Sequence, residues 1–419
     1  MNNMNKLQEC ISLLIILARA LAISLLFKLS DVSAQSFDLS GQVALELRGF
    51  PDKSLLPGQV EGAQFSSFLE PEYRWRSSDR NSLLKFTPFV RVDTVDDKRT
   101  HFDIREANWL KIAGDWEFLV GATRIFWGVT ESRHLVNIIN QIDAVEDIDE
   151  EAFLGQPMAK ISRQTDIGRF ELFLMTGFRE RTFAGPDGRL RTPLPVKTGD
   201  AVYENSAKEW HPDFALRYSH FFGDFDIGLH VFRGINREPS LVLSSDAQNF
   251  IPHYSVITQA GIDLQFTRDA WLWKLEGIVR EGQGDAFAAT VAGLEYTFFQ
   301  VAESDIDLGL IVEGLYDGRD KLNFADIQSK QIFPTIYDKD IFLGARLALN
   351  DVQDSSILAG FVTDIVDGPA TLRVEAERRL GQHMKIELIG QAFFEDNPIN
   401  PVSFFRQDSF VTLRVSRFF

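Results

Sequence analysis

Glu146, Asp147, Asp149, Glu150 and Glu151 set five carboxylates into six positions, and Arg133 and His134 stand a short way before them. Carboxylates at that density can line a cation-selective ring or share a divalent ion. The EF-hand arrangement does not apply, because the turn glycine is missing and the ligand spacing is wrong. The plainer alternative is an acidic loop whose charges are simply solvated. Covalent chemistry has less to offer. Ser132 lies two positions before His134 and Ser219 adjoins His220, but no G-x-S-x-G, H-E-x-x-H or phosphate-cradling glycine loop surrounds either pair. The seven histidines are scattered, so no catalytic residue, metal set or cofactor is expected.

A second set of charges is spread along the chain: Arg91, Arg217, Arg280, Arg346, Arg373, Glu375, Arg379 and Glu387. Each sits in a run where apolar and polar residues alternate, the pattern of a strand with one apolar face. In the first such run, one face carries Phe37, Leu39, Gly41, Val43, Leu45 and Leu47, and the other Asp38, Ser40, Gln42, Ala44, Glu46 and Arg48. Runs of this kind fall near 37–48, 65–77, 82–94, 101–112, 115–125, 158–166, 169–179, 212–222, 225–234, 254–267, 270–280, 287–299, 304–316, 339–350, 355–365, 370–380, 382–394 and 409–419. That makes eighteen strands, with sixteen as the alternative because 101–112 and 158–166 alternate least regularly.

The connections alternate as well. Those at 78–81, 113–114, 223–224, 268–269 and 380–381 are tight, whereas 49–64, 126–157, 180–211, 235–253, 317–338 and 395–408 are long. Short turns at one end, long loops at the other and an even strand count are what a transmembrane antiparallel β-barrel requires. No apolar run after residue 36 approaches the roughly eighteen residues of a membrane helix, so a crossing would have to be made by a closed barrel. A water-soluble sandwich or propeller fits less well, since globular strands average only about five to six residues. Aromatic pairs at strand ends, Phe221-Phe222, Trp271 with Trp273, Phe298-Phe299, Phe393-Phe394 and Phe404-Phe405, are candidate interfacial girdles. The apolar faces then meet lipid and the second set of charges lines the lumen, because Lys or Arg against lipid at the midplane costs about 2–4 kcal/mol. There the charges either select ions across the water or merely pair between neighbouring strands.

The balance of 43 Lys+Arg against 60 Asp+Glu, a net charge of −17, argues against nucleic acid as a partner. Residues 1–34 read as a secretory signal peptide: Lys6, an apolar run from Ile11 to Phe27 interrupted by Arg19, and the small-x-small step Val32-Ser33-Ala34. Cys10, the single cysteine, lies within it, so the segment 35–419 has no thiol chemistry.

Over residues 36–419 the chain resembles the outer-membrane β-barrels of Gram-negative bacteria, porins in particular. Its most specific piece is the terminal SFVTLRVSRFF, where Val411, Leu413, Val415 and Phe419 match the aromatic-ended alternation of such barrels and Arg417 departs from it. Arg124-x-x-Trp127-Gly128 and Val136-Asn137-x-x-Asn140-x-x-Asp143 are similar to steps in uncharacterised outer-membrane barrel families. The resemblance implies an integral outer-membrane protein in contact with lipid, inserted by machinery that reads its last strand. Its function would be passive diffusion of small hydrophilic solutes or ions. A barrel of a dedicated export system and an outer-membrane hydrolase are the alternatives, and oligomeric state stays open.

In porins the third external loop folds inward and narrows the channel; here that loop is 126–157. About 132–142 reads as a short helix whose apolar face, Leu135, Val136, Ile138, Ile139 and Ile142, needs cover. The expectation is an all-β transmembrane barrel with an inward-folded helical third loop. The pore would be constricted at Arg133, His134, Glu146, Asp147, Asp149, Glu150 and Glu151.

Overall fold

The computed structural model of the protein describes residues 36–319, 338–366, 368–395 and 401–419; the expected signal peptide lies outside them. The strands are β1 (Ser36–Gly49), β2 (Ala63–Arg76), β3 (Ser82–Asp93), β4 (His101–Ala113), β5 (Trp116–Thr123), β6 (Gln156–Thr165), β7 (Gly168–Met175), β8 (Val202–Tyr203), β9 (Asp213–Phe222), β10 (Phe225–Ile235), β11 (Ser240–Leu243), β12 (Phe250–Tyr254), β13 (Val256–Arg268), β14 (Trp271–Glu281), β15 (Phe287–Phe298), β16 (Asp307–Asp317), β17 (Lys339–Ala348), β18 (Ser356–Asp364), β19 (Ala370–Leu380), β20 (Met384–Phe394) and β21 (Phe410–Phe418).

Eighteen of these, all but β8, β11 and β12, form one sheet in which each strand pairs antiparallel with the next along the chain. The sheet closes where β21 meets β1, with Gln42 opposite Phe418 and Gly49 opposite Val411. Closure pairs every strand edge, which is what an apolar medium demands of a backbone.

The two faces separate cleanly. Leu45, Leu47, Leu229, Val231, Val279, Leu310, Leu343 and Leu388 are exposed on the outside, while their inward neighbours Glu46, Arg48, His230, Phe232, Arg280, Ile311 and Phe342 are buried. An apolar outer belt around an interior that holds many buried charges is the inverse of a water-soluble sandwich. At the short-turn end an aromatic run crosses β9 to β15 through Tyr218, His220, Phe222, Phe225, Phe266, Trp273, Trp271, Tyr296 and Phe298, successive ring centroids lying 4.5–6.3 Å apart. This is a girdle of the kind found at membrane interfaces. Phe393 does not belong to one: it is buried at the long-loop end and packs on Phe405 at 5.5 Å.

The weak alternation of 101–112 has a local cause. The register of β3 against β4 slips between Thr87 and Pro88, where proline has no N–H to give the ladder. The slip leaves the adjacent residues Arg105 and Glu106 both buried, at 3% and 5% exposure.

At the long-loop end, β11 pairs antiparallel with β12 and β8 runs parallel to β12, a small sheet that the alternation pattern did not signal. The loops are also tied by charge. Buried Arg189 donates to Asp408 at 2.6 Å and to the carbonyls of Asp52 and Val60 at 3.1 and 3.2 Å, so three external loops share one guanidinium. Replacing outward Val231 by Arg is expected to lower unfolding stability in lipid by about 2–4 kcal/mol, read as a lower urea midpoint. An unchanged midpoint would remove the lipid-facing assignment.

Candidate pore constriction

The segment between β5 and β6 begins where Arg124 pairs with Glu70 and Glu106 at 3.6 and 3.5 Å, which draws the chain towards the inner face. Asn140 then clasps both ends of the segment. Its Nδ2 donates to the carbonyls of Thr123 and Leu154 at 2.8 Å each, and its Oδ1 accepts from the Ile125 N–H at 2.8 Å. An antiparallel bridge between Ile142 and Phe153 and the bond from Asp143 N to the Ala152 carbonyl, 2.7 Å, continue the hairpin.

The far end of the segment is held by two carboxylates of the wall, Glu276 on β14 and Glu313 on β16, both 0% exposed. Glu276 accepts from the N–H groups of Val129, Thr130 and Val136 and from the Thr130 hydroxyl at 2.7–3.1 Å. Glu313 accepts from Glu131 N, Ser132 N and Ser132 Oγ at 2.6–2.8 Å. Beside them Arg133 reaches Asp317 at 3.0 Å and Glu131 meets Arg346 of β17 at 2.8 Å. In the ring of eighteen, β17 stands nine strands from β5, on the opposite wall.

The expected helix is absent: residues 132–142 run through bends and turns. The Val136 N–H, which a helix would have bonded internally, goes instead to Glu276, and the Asn140 side chain ties the stretch to Thr123, Ile125 and Leu154. Valine, isoleucine and asparagine, which make up much of this stretch, also have only modest helix propensity. The apolar residues are nevertheless covered. Trp127, Leu135, Val136, Ile138 and Ile139 form one buried cluster with inward side chains from β6 to β17, among them Phe173, Phe232, Ile257, Val291 and Ile311. Gly128 makes room at this point, since a Cβ there would fall 2.5 Å from His134 Nδ1.

Each of the five acids has a cationic partner. Glu146 takes Arg91 of β3 in a two-pronged contact at 2.9 Å, and Asp147 takes Arg48 of β1 at 3.4 Å. Asp149 lies 2.8 Å from Arg373 of β19, Glu150 pairs with Arg181, and His134 Nε2 lies 2.8 Å from Glu151. Glu146, Asp147 and Asp149 are drawn to the wall, whereas Glu150 and Glu151 remain exposed beside their partners. Burial works against the charge on His134, but the Glu151 and Glu276 carboxylates outweigh it and push its pKa up to about 10. Burial, with Asp147 beside it, raises Asp149 to about 6, Arg373 opposing. Burial also works against the charge of Asp147, but Arg48 and Arg373 hold it below the ordinary range. The pair therefore takes its first proton at Asp149.

The wall charges divide. Arg91, Arg280, Arg346 and Arg373 join the segment or the loops above it, Arg280 through Glu238 at 3.1 Å. Arg217 pairs with Asp263 across strands at 2.8 Å. Glu375 pairs with Arg373 at 2.6 Å and Glu387 with Lys385 at 3.1 Å. Arg379 lies apart, exposed at the short-turn rim 3.5 Å from Asp354. Arg105, Arg237 and Glu238 were not singled out by the sequence, and Asn140 entered only through its motif, although Arg105 holds Asp143 at 2.6 Å and Arg237 caps the Ile139 carbonyl at 2.9 Å. Of the two serine–histidine neighbours, Ser132 spends its hydroxyl on Glu313 rather than on His134.

No protein-family model and no curated protein matches the chain in sequence. Solved structures match it in shape. A BenF-like porin from Pseudomonas fluorescens Pf-5 aligns with a TM-score of 0.53 at 10% identity over 93% of this chain and 99% of that one. OccK5 (OpdH) of Pseudomonas aeruginosa gives 0.54 at 8% identity, covering 92% and 97%. Wzi of Escherichia coli, a carbohydrate-binding β-barrel involved in group 1 capsule assembly, gives 0.51 at 7% identity, covering 92% and 84%. The fold is that of the outer-membrane porins.

Asp149 supplies a test with a definite sign. Its folded pKa of about 6 lies above the ordinary 3.8. The folded state therefore binds the extra proton in that window, and stability rises as pH falls through it. Unfolding measured between about pH 4 and about pH 6 should show this slope in the wild type and lose it in Asp149→Asn. The same slope in both would place the titration elsewhere.

Proposed function

We propose that the protein is an integral outer-membrane channel of porin type, passing small hydrophilic solutes or ions by passive diffusion without catalysis. The segment 124–155 is its inward-folded constriction. The observation that carries this reading is the reach of that segment, which starts on β5 and bonds to Glu276, Glu313 and Arg346 on the far side of the ring. A loop lying on the cell surface would have no access to inward side chains of β14, β16 and β17. Where the segment crosses, its apolar cluster excludes water from the β6–β17 side. Polar, partly exposed side chains, among them Arg346, Arg373, Glu375, Lys385 and Glu387, border the remaining space. In such a lumen paired charges order water and set which ions enter.

A second reading has one observation in its favour. The constriction segment and the loops tied by Arg189 occupy the long-loop end together, as suits a barrel that serves surface-polymer export, with Wzi, which is involved in capsule assembly, as an analogy in shape. Planar-bilayer recording separates the two. The channel reading expects stepwise conductance from the wild type, larger steps after deletion of 131–152, and a shift towards anions when residues 146–151 are neutralised and their arginines released. A silent wild type that conducts only after the deletion would favour the export reading, and silence in both would sink the channel.

A further inference from the structure

His101, at the start of β4, stands against the constriction segment with its ring facing two of the segment's carboxylates. Its Nδ1 lies 3.1 Å from the Arg99 carbonyl, to which it donates as the N–H nitrogen. Its Nε2 is buried without a hydrogen-bond partner and faces Asp143 Oδ2 and Glu146 Oε1, each 3.5 Å away. That distance is longer than an ordinary N–H···O bond but within ion-pair reach, so a proton on Nε2 and a metal ion compete for the space between the two carboxylates. All three atoms lie within 4.8 Å of one another. Separations of about 3.3 Å are what ligands on a tetrahedral ion require at bond lengths of about 2.0–2.1 Å.

We propose that His101, Asp143 and Glu146 form a binding site for a divalent transition-metal ion of the zinc type. One imidazole and two carboxylates suit such an ion, whereas calcium takes oxygen ligands. The Nδ1–H bond to a backbone carbonyl is the support that metal-bound histidines ordinarily have. The neighbouring guanidiniums do not use the site up. Arg105 also holds Asp103 at 2.9 Å and Arg91 also holds Glu46 at 3.4 Å, so both stay paired. Each carboxylate oxygen has two lone pairs. Asp143 Oδ2 spends one on Arg105 and Glu146 Oε1 one on Arg91, and each keeps another for the ion. Because His101 belongs to the wall and the two acids to the constriction segment, the ion would clamp one to the other.

The test is zinc binding by the intact barrel in detergent micelles after chelator treatment, with bound zinc per chain and the unfolding temperature as readouts. One zinc per chain and an unfolding temperature that rises to a plateau with added zinc are expected, with no response to magnesium. His101→Gln should lose both effects; if it does not fold, Glu146→Gln should lose them instead. Absence of saturable zinc binding in the wild type, or a folded variant that keeps the wild-type stoichiometry and shift, would overturn the site. Neither readout involves current, so this failure and failure of the channel reading are told apart.

Discussion

The interior is organised by two buried carboxylates on the wall. Glu276 and Glu313 take up backbone N–H groups from a segment that would otherwise have to satisfy them within itself. A buried N–H left without a partner costs about 1–3 kcal/mol, and a buried carboxylate left without one costs more. Each side therefore needs the other. The carboxylates are tolerable at 0% exposure because the segment supplies them with donors, and the N–H groups of 129–132 and 136 can lie against the wall because the carboxylates accept. Charge-assisted bonds of this kind are short and directional, so they fix position as well as attachment.

That anchoring divides the lumen. On the β6–β17 side an apolar patch of inward residues meets Trp127, Leu135, Val136, Ile138 and Ile139, a packed core set around the buried carboxylates Glu276 and Glu313. On the β19–β4 side the inward residues are charged, and they receive the acids of the segment through Arg373, Arg48, Arg91 and Arg105. One stretch of chain thus presents an apolar half and an acidic half to two matching halves of the wall. The exposed face of Phe126, at 50%, marks where that packing stops.

Much of the barrel was legible in the sequence because a strand between lipid and lumen must alternate strictly. All eighteen expected strands are present, and 101–112, one of the two least regular, proves to pair with β3 across the slip at Thr87/Pro88. The strands β8, β11 and β12 were not legible, since pieces of two to five residues are too short to show a period. The helix over 132–142 was misread for a physical reason. Its apolar spacing is real, but the Val136 N–H finds its acceptor 140 positions away at Glu276, and Asn140 is held by Thr123, Ile125 and Leu154 outside the stretch. The five acids were found, yet their partners come from strands that only closure brings together, Arg48 near one end of the chain and Arg373 near the other.

The central claim is that the segment after β5 lies inside the barrel against β17, and a thiol cross-link tests it most directly. Cys10 is the single native cysteine, so Glu131→Cys with Arg346→Cys places one new thiol on the segment and one on the opposite wall. The account predicts that a short bifunctional thiol reagent joins the two in the folded barrel, with Glu131→Cys shielded from a membrane-impermeant label applied outside intact cells. Rapid labelling of Glu131→Cys from outside together with no cross-link would contradict it.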